Sequence, residues 1–303
     1  MKQTNKRYGL ALGGGGAKIW YLYEALSKLI NTGYTFQVVG GVSSGALVAY
    51  MYASGQMLKL SSLLKRISND QVYKGKPNLW AAIKAKVLGR DYLLDNSPLR
   101  DLIVMYVDRP VHIHCHVGVV DLESGQYESV NLYGMGLDYI REHLLASATI
   151  PIIWKPVNIS TQISSAWADG GLRNNSPVSD VLRQGIDELW VINTSSVGAQ
   201  LWDYHHKRNL FNMAGRTLEI MLDEGLTNDI HTANLLNSIM AYEKRDQIDS
   251  GGRMYRKVPI HLIQPTTQLH SMLDFNTRQH RGLGYRDAEH AIAGVKYAEN
   301  KTV

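Results

Sequence analysis

The stretch Gly40-Gly41-Val42-Ser43-Ser44-Gly45-Ala46-Leu47 sets a small hydroxyl between two glycines, where the apolar run Phe36-Gln37-Val38-Val39 hands over to a helical segment. A Gly-x-Ser-x-Gly turn of this kind forces its serine onto a tight bend. The flanking glycines supply the unusual dihedrals and the room beside the hydroxyl. The helix that follows aims its N-terminal amides back at the serine, which favours an anion there. Ser43 is therefore the candidate nucleophile. The pentapeptide alone also fits an ordinary strand-to-helix turn, so the rest of the chain has to decide.

Upstream, Tyr8 to Leu12 reads as a strand, Gly13 to Lys18 as a glycine loop, and Ile19 to about Ile30 as a helix. Neither the dinucleotide pattern nor the P-loop fits, since the first needs glycine at position 18 or 19 and the second a Lys-Ser or Lys-Thr pair. What the loop keeps is a row of backbone N–H groups beside a helix N-terminus, suited to negative charge. In acyl transfer that charge is the oxyanion of the tetrahedral intermediate. Two strand-turn-helix units side by side in a parallel sheet bring their loops out at the same edge, so the glycine loop and Ser43 are expected to meet.

A chain of 303 residues with 45% hydrophobic and 19% charged residues can bury a large core, and its composition is that of an α/β enzyme rather than a disordered chain. No apolar run approaches the roughly 20 residues of a membrane span. The basic N-terminus gives way to glycines too soon to read as a signal peptide. One cysteine, Cys115, permits no internal disulfide and suits a cytoplasmic protein. The net charge of +5 suits an anionic partner.

Between Lys59 and Arg90 stand eight Lys or Arg residues and one acidic residue, Asp70. Within this stretch, residues 79–88 carry an apolar face (Leu79, Trp80, Ile83, Val87) against a basic one (Lys84, Lys86), as either an interfacial or a core-docked helix would. Val111 to Val120 alternates, with His112, His114 and His116 on the polar side, and reads as a half-buried strand. His-x-His can chelate zinc, but no further ligands are evident, so neither metal nor cofactor is expected. Leu137 to Ser147 reads as a helix, and Pro151 and Pro156 then impose an extended path. Trp167-Ala168-Asp169-Gly170-Gly171 suits a carboxylate held on a loop. Leu189 to Asn193 and Val258 to Ile263 read as strands, Leu210 to about Tyr242 as mostly helical, and about Tyr285 to Tyr297 as a final helix. With no repeat or linker, residues 1–303 are read as one domain.

In this order and spacing the segments resemble the patatin-like phospholipase family over about residues 8–298. Gly13 to Lys18 is similar to its oxyanion loop, and Gly41 to Gly45 to its nucleophile elbow. Ala146 to Pro156 is similar to its Ala-Ser-x-Ala-x-Pro segment, and Asp169-Gly170-Gly171 with Asn175 and Pro177 to its aspartate loop. The resemblance implies a three-layer fold with a mostly parallel central sheet flanked by helices, and a lipid acyl hydrolase with a Ser43–Asp169 dyad. Gly14, Gly15 and Gly16 become the oxyanion donors, and Lys18 steadies the loop or a substrate phosphate. A lipid or phospholipid is the implied substrate, with peripheral contact at an anionic membrane through residues 59–90 and no nucleic acid. Two positions depart from the family pattern, Ile19 where it usually has glycine and Glu24 where it often has another small residue. An aspartate acting directly as base should be buried, raising its pKa. Two alternatives stay open: a Ser-Asp-His hydrolase using one of His205, His206, His231, His261, His270, His280 or His290, and a lipid-binding scaffold without turnover.

Overall fold

Strand β1 (Tyr8–Leu12) is buried from Gly9 onward, as a strand covered on both faces must be. It pairs in parallel with β2 (Val38–Val42) on one side and β6 (Glu188–Ile192) on the other. Beyond these, β3 (His114–Asp121) lies parallel to β2, and β9 (Ile260–Ile263) lies parallel to β6. An antiparallel edge strand, β4 (Tyr127–Asn131), closes the β3 side, so the order is β4-β3-β2-β1-β6-β9. A short strand β5 (Trp167–Asp169) also pairs antiparallel with β3. The computed structural model describes residues 6–75, 83, 86–195, 210–249 and 254–301.

Side-chain alternation along the strands produces three layers. Leu10 and Leu12 join Val39, Val117, Trp190 and Ile192 in a core with helices α1 (Ile19–Asn31), α2 (Ser44–Ala53), α3 (Met57–Leu64), α4 (Ser97–Tyr106) and α5 (Leu137–Ser147). Ala11, Val38, Leu189 and Val191 face the opposite side, packing with α6 (Val178–Leu182) and with Ala233 of α7 (Leu210–Tyr242). Each fully buried Val or Leu contributes about 1.5–3 kcal/mol. Helix α8 (Leu283–Lys301) packs on α1, and a small hairpin of β7 (Gln247–Asp249) and β8 (Met254–Arg256) stands apart from the main sheet.

Several expectations shift. The strand expected over 36–39 begins and ends later, at Val38–Val42, because Phe36 and Gln37 precede the pairing with β1. The histidine-bearing strand is not half-buried: residues 115–120 are all buried, because β3 has β2 on one side and β4 on the other and helices on both faces. His116 lies beside Asp180 of α6 on the supposed outer face, and burial holds its pKa below the usual imidazole range. Val111 to Ile113 precede the strand. Asp169 ends a strand rather than sitting on a loop. Among the described residues no helix is long and apolar enough to cross a membrane. Of the basic stretch, residues 76–82 and 84–85, with Trp80 and Lys84, lie outside the described residues. Ile83 and Val87 of its expected apolar face are 43% and 77% exposed.

Candidate active site

One sheet column brings the two candidate reactive groups together. Parallel pairing sets the last residue of β2, Val42, opposite Gly118 of β3, and antiparallel pairing sets Asp169 of β5 opposite Val119. The two strands therefore meet head-on beside β3, with Ser43 next after Val42. Gly170 turns the chain away at this junction, where a Cβ would come within 2.5 Å of the Gly118 backbone.

Ser43 occupies φ 56°, ψ −128°, a strained conformation for a residue with a side chain. Neighbouring glycines make the bend possible. A Cβ on Gly41 would lie 2.3 Å from the Gly45 carbonyl, and one on Gly45 would lie 2.4 Å from the Leu12 carbonyl. The Ser43 amide donates to Ser147 Oγ at 3.0 Å, which ties the bend to the end of α5. The Asp169 carboxylate accepts from the Gly171 amide at 2.8 Å, and the Ser43 hydroxyl lies close enough to it to favour its charged form. Ser43 is 7% and Asp169 5% exposed, so the elbow is sheltered, not an exposed turn. Burial pushes the Asp169 pKa up to about 7, against the opposing pull of the Gly171 amide and the Ser43 hydroxyl.

The glycine loop reaches Ser43 as expected: a Cβ on Gly14 would stand 3.0 Å from the Ser43 Cβ. Its amides are partly committed. Gly13 N donates to Ile192 O (2.9 Å), Gly14 N to Asn175 O (3.1 Å) and Ala17 N to Met272 O (2.8 Å). Gly14 is therefore not available as a donor, while the amides of Gly15 and Gly16 have no acceptor among the described residues. Thr194 Oγ1 holds the Gly14 carbonyl at 2.6 Å. Gly16, at φ 56°, lies where a Cβ would strike the Met272 carbonyl. Sequence reasoning missed Thr194 and Met272, which follow β6 and β9 and carry no local signal. It also gave no role to Ser147, although Ala146 to Pro156 contained it.

Lys18 is not at the surface. It is 6% exposed, with Nζ 4.0 Å from Glu219 of α7, and so links the loop to that helix. Of the late histidines, His205 and His206 lie outside the described residues. His261 pairs with Glu188 at 2.9 Å, His270 Nε2 lies 3.3 Å from the Ala17 carbonyl, and His231 and His290 are exposed. No described histidine is hydrogen-bonded to Ser43 or Asp169. His114 Nδ1 pairs with the Asn131 side-chain amide at 2.9 Å. Ser43 opens onto a narrow cavity of about 70 Å³, walled by apolar side chains of α2, α3 and α4, and Ile19 stands in its lining.

A family model described as patatin-like phospholipase matches residues 10–182, from β1 through the Asp169 loop to α6. Among solved structures, the chain is similar to VipD from Legionella pneumophila. The identity is 12%, the match covers 96% of this chain and 67% of that one, and the TM-score is 0.47.

Proposed function

The chain belongs to the patatin-like phospholipase family, whose activity is lipid acyl hydrolysis, and from that premise we propose that it cleaves carboxylic esters of lipids through an acyl-Ser43 intermediate with Asp169 as base. The observation that carries this reading is the meeting of a strained Ser43 with a buried carboxylate whose pKa stands near 7, set beside it by the pairing of β2 and β5 on β3. An ordinary aspartate, with a pKa of about 3.9, is too weak a base for a serine hydroxyl, and burial corrects that mismatch.

Ser43 Oγ attacks the ester carbonyl carbon as its proton passes to Asp169, and the carbonyl oxygen becomes an oxyanion. The Gly15 and Gly16 amides stabilise that charge; losing one such donor typically costs about 2.7–4 kcal/mol. Collapse breaks the ester C–O bond, and Asp169 returns the proton to the leaving alcohol oxygen. A water then gives its proton to Asp169 and attacks the acyl carbon, which releases the acid and restores Ser43. Lys18 serves as a loop support through Glu219, and the acyl chain enters the cavity beside Ile19.

A fluorophosphonate probe tests the reading directly. Labelling of the folded protein, lost in Ser43→Ala and strongly slowed in Asp169→Asn, is expected. Hydrolysis should fall by several orders of magnitude in each variant and no further in the double variant, since nucleophile and base act as one unit. Absence of labelling in the folded wild type would favour a scaffold that binds lipid without turnover.

A further inference from the structure

The cavity at Ser43 has a direction and an end. Helix α2 runs away from the nucleophile and lines the space with Ser44, Leu47 and Tyr50. Helix α4 starts at the same end, where the Asn96 side-chain amide meets Thr149 Oγ1 at 3.3 Å, and contributes Leu99, Ile103 and Tyr106 in turn. Helix α3 runs the opposite way. Its first turn is tied to the last turn of α4 by Lys59, whose Nζ reaches Met105 O at 3.2 Å and Asp108 at 2.8 Å. Both helices thus close together at the end remote from Ser43.

Tyr50 lines the cavity toward that end. It is fully buried, and its hydroxyl donates to Arg109 O at 2.8 Å and accepts from the Gln56 amide at 3.2 Å, so the side chain is held in place by its tip. Tyr50 lies seven residues beyond Ser43 along the chain. At 1.5 Å per helical residue this is about 10 Å, and an extended alkyl chain advances about 1.3 Å per carbon–carbon bond.

We propose that the cavity is an acyl-length gauge with Tyr50 as its stop, selecting esters of medium-chain fatty acids of about eight carbons. The proposal rests on the serine-esterase reading and adds the chemical class of its acyl group. Each methylene that enters the apolar channel improves kcat/KM by about fourfold until the chain meets the ring. Further methylenes bend back toward the mouth and gain nothing.

The test is kcat/KM across p-nitrophenyl acetate, butyrate, octanoate, dodecanoate and palmitate, presented in one detergent. The wild type is expected to peak at octanoate and to fall at least tenfold by palmitate. Tyr50→Ala should move the peak to dodecanoate or beyond. Leu47→Trp, at a partly exposed position halfway along the channel, should move it to butyrate or below. A wild-type profile that still rises at palmitate, or a peak that stays in place in folded Leu47→Trp, overturns the gauge while leaving the esterase reading intact. No hydrolysis of any ester, together with no fluorophosphonate labelling of Ser43, overturns the esterase reading itself.

Discussion

Burial of Asp169 has two measurable consequences, one for rate and one for stability. The free enzyme needs this carboxylate ionised, so kcat/KM for a soluble ester should rise through a pH of about 7 with a single ionisation. A rise centred near pH 4 would show that the base is hydrated. For stability the folded pKa lies above the unfolded one. The folded state therefore holds the proton more tightly, and the contribution is full below about pH 4 and lost as pH rises through about 7. Asp169→Asn removes that loss and keeps an acceptor for the Gly171 amide. At pH 8 the variant should be inactive yet more stable than wild type, by up to about 4 kcal/mol for a shift of about three units. At pH 4 the two should denature together. Equal denaturation midpoints at pH 8 would contradict a desolvated carboxylate.

Helix ends explain both what the sequence conceals and what it makes plain. Glu24 breaks the family pattern in the middle of an apolar helix, and nothing nearby accounts for it. Its partners are the amides of Gly282 (2.8 and 2.9 Å to its two oxygens) and Gly284 (3.2 Å) at the start of α8, some 260 residues away. A buried carboxylate from α1 caps the N-terminus of α8, and Gly284 is small because a Cβ would lie 2.5 Å from the Tyr21 carbonyl. Glu24→Ala leaves those amides without an acceptor and should lower stability by about 1–3 kcal/mol in urea titration. Glu24→Gln, which keeps one oxygen, should lose less. Long-range pairing of this kind is absent from any local pattern, as are the three-residue strand β5 and the committed amide of Gly14. By contrast, α5 begins and ends at Leu137 and Ser147 as read from the sequence, and α7 spans Leu210–Tyr242, where a mostly helical stretch was expected. The strand β3 was misread because its alternating histidines imitate an exposed face that α6 covers.

At the scale of the whole molecule, the net charge of +5 and the exposed Ile83, Val87 and Leu88 bear on how an enzyme of lipids reaches its substrate. Each cation near an anionic membrane contributes roughly 1 kcal/mol. Co-sedimentation with phosphatidylserine vesicles should therefore fall as salt rises from about 0.01 M to about 1 M, where the screening length shrinks from about 30 Å to 3 Å. Salt-independent binding would assign adsorption to apolar contact instead. The meeting of β2 and β5 on β3 has its own consequence. Residues 42 and 169 stand beside adjacent positions of one strand, so β3 works as a ruler for a pair that lies far apart in the chain. Insertions into the segments between β2 and β3, or between β4 and β5, can lengthen the route to the site or reshape its walls. The ruler keeps its graduations, and a chain can change the esters it admits without re-spacing the atoms that cut them.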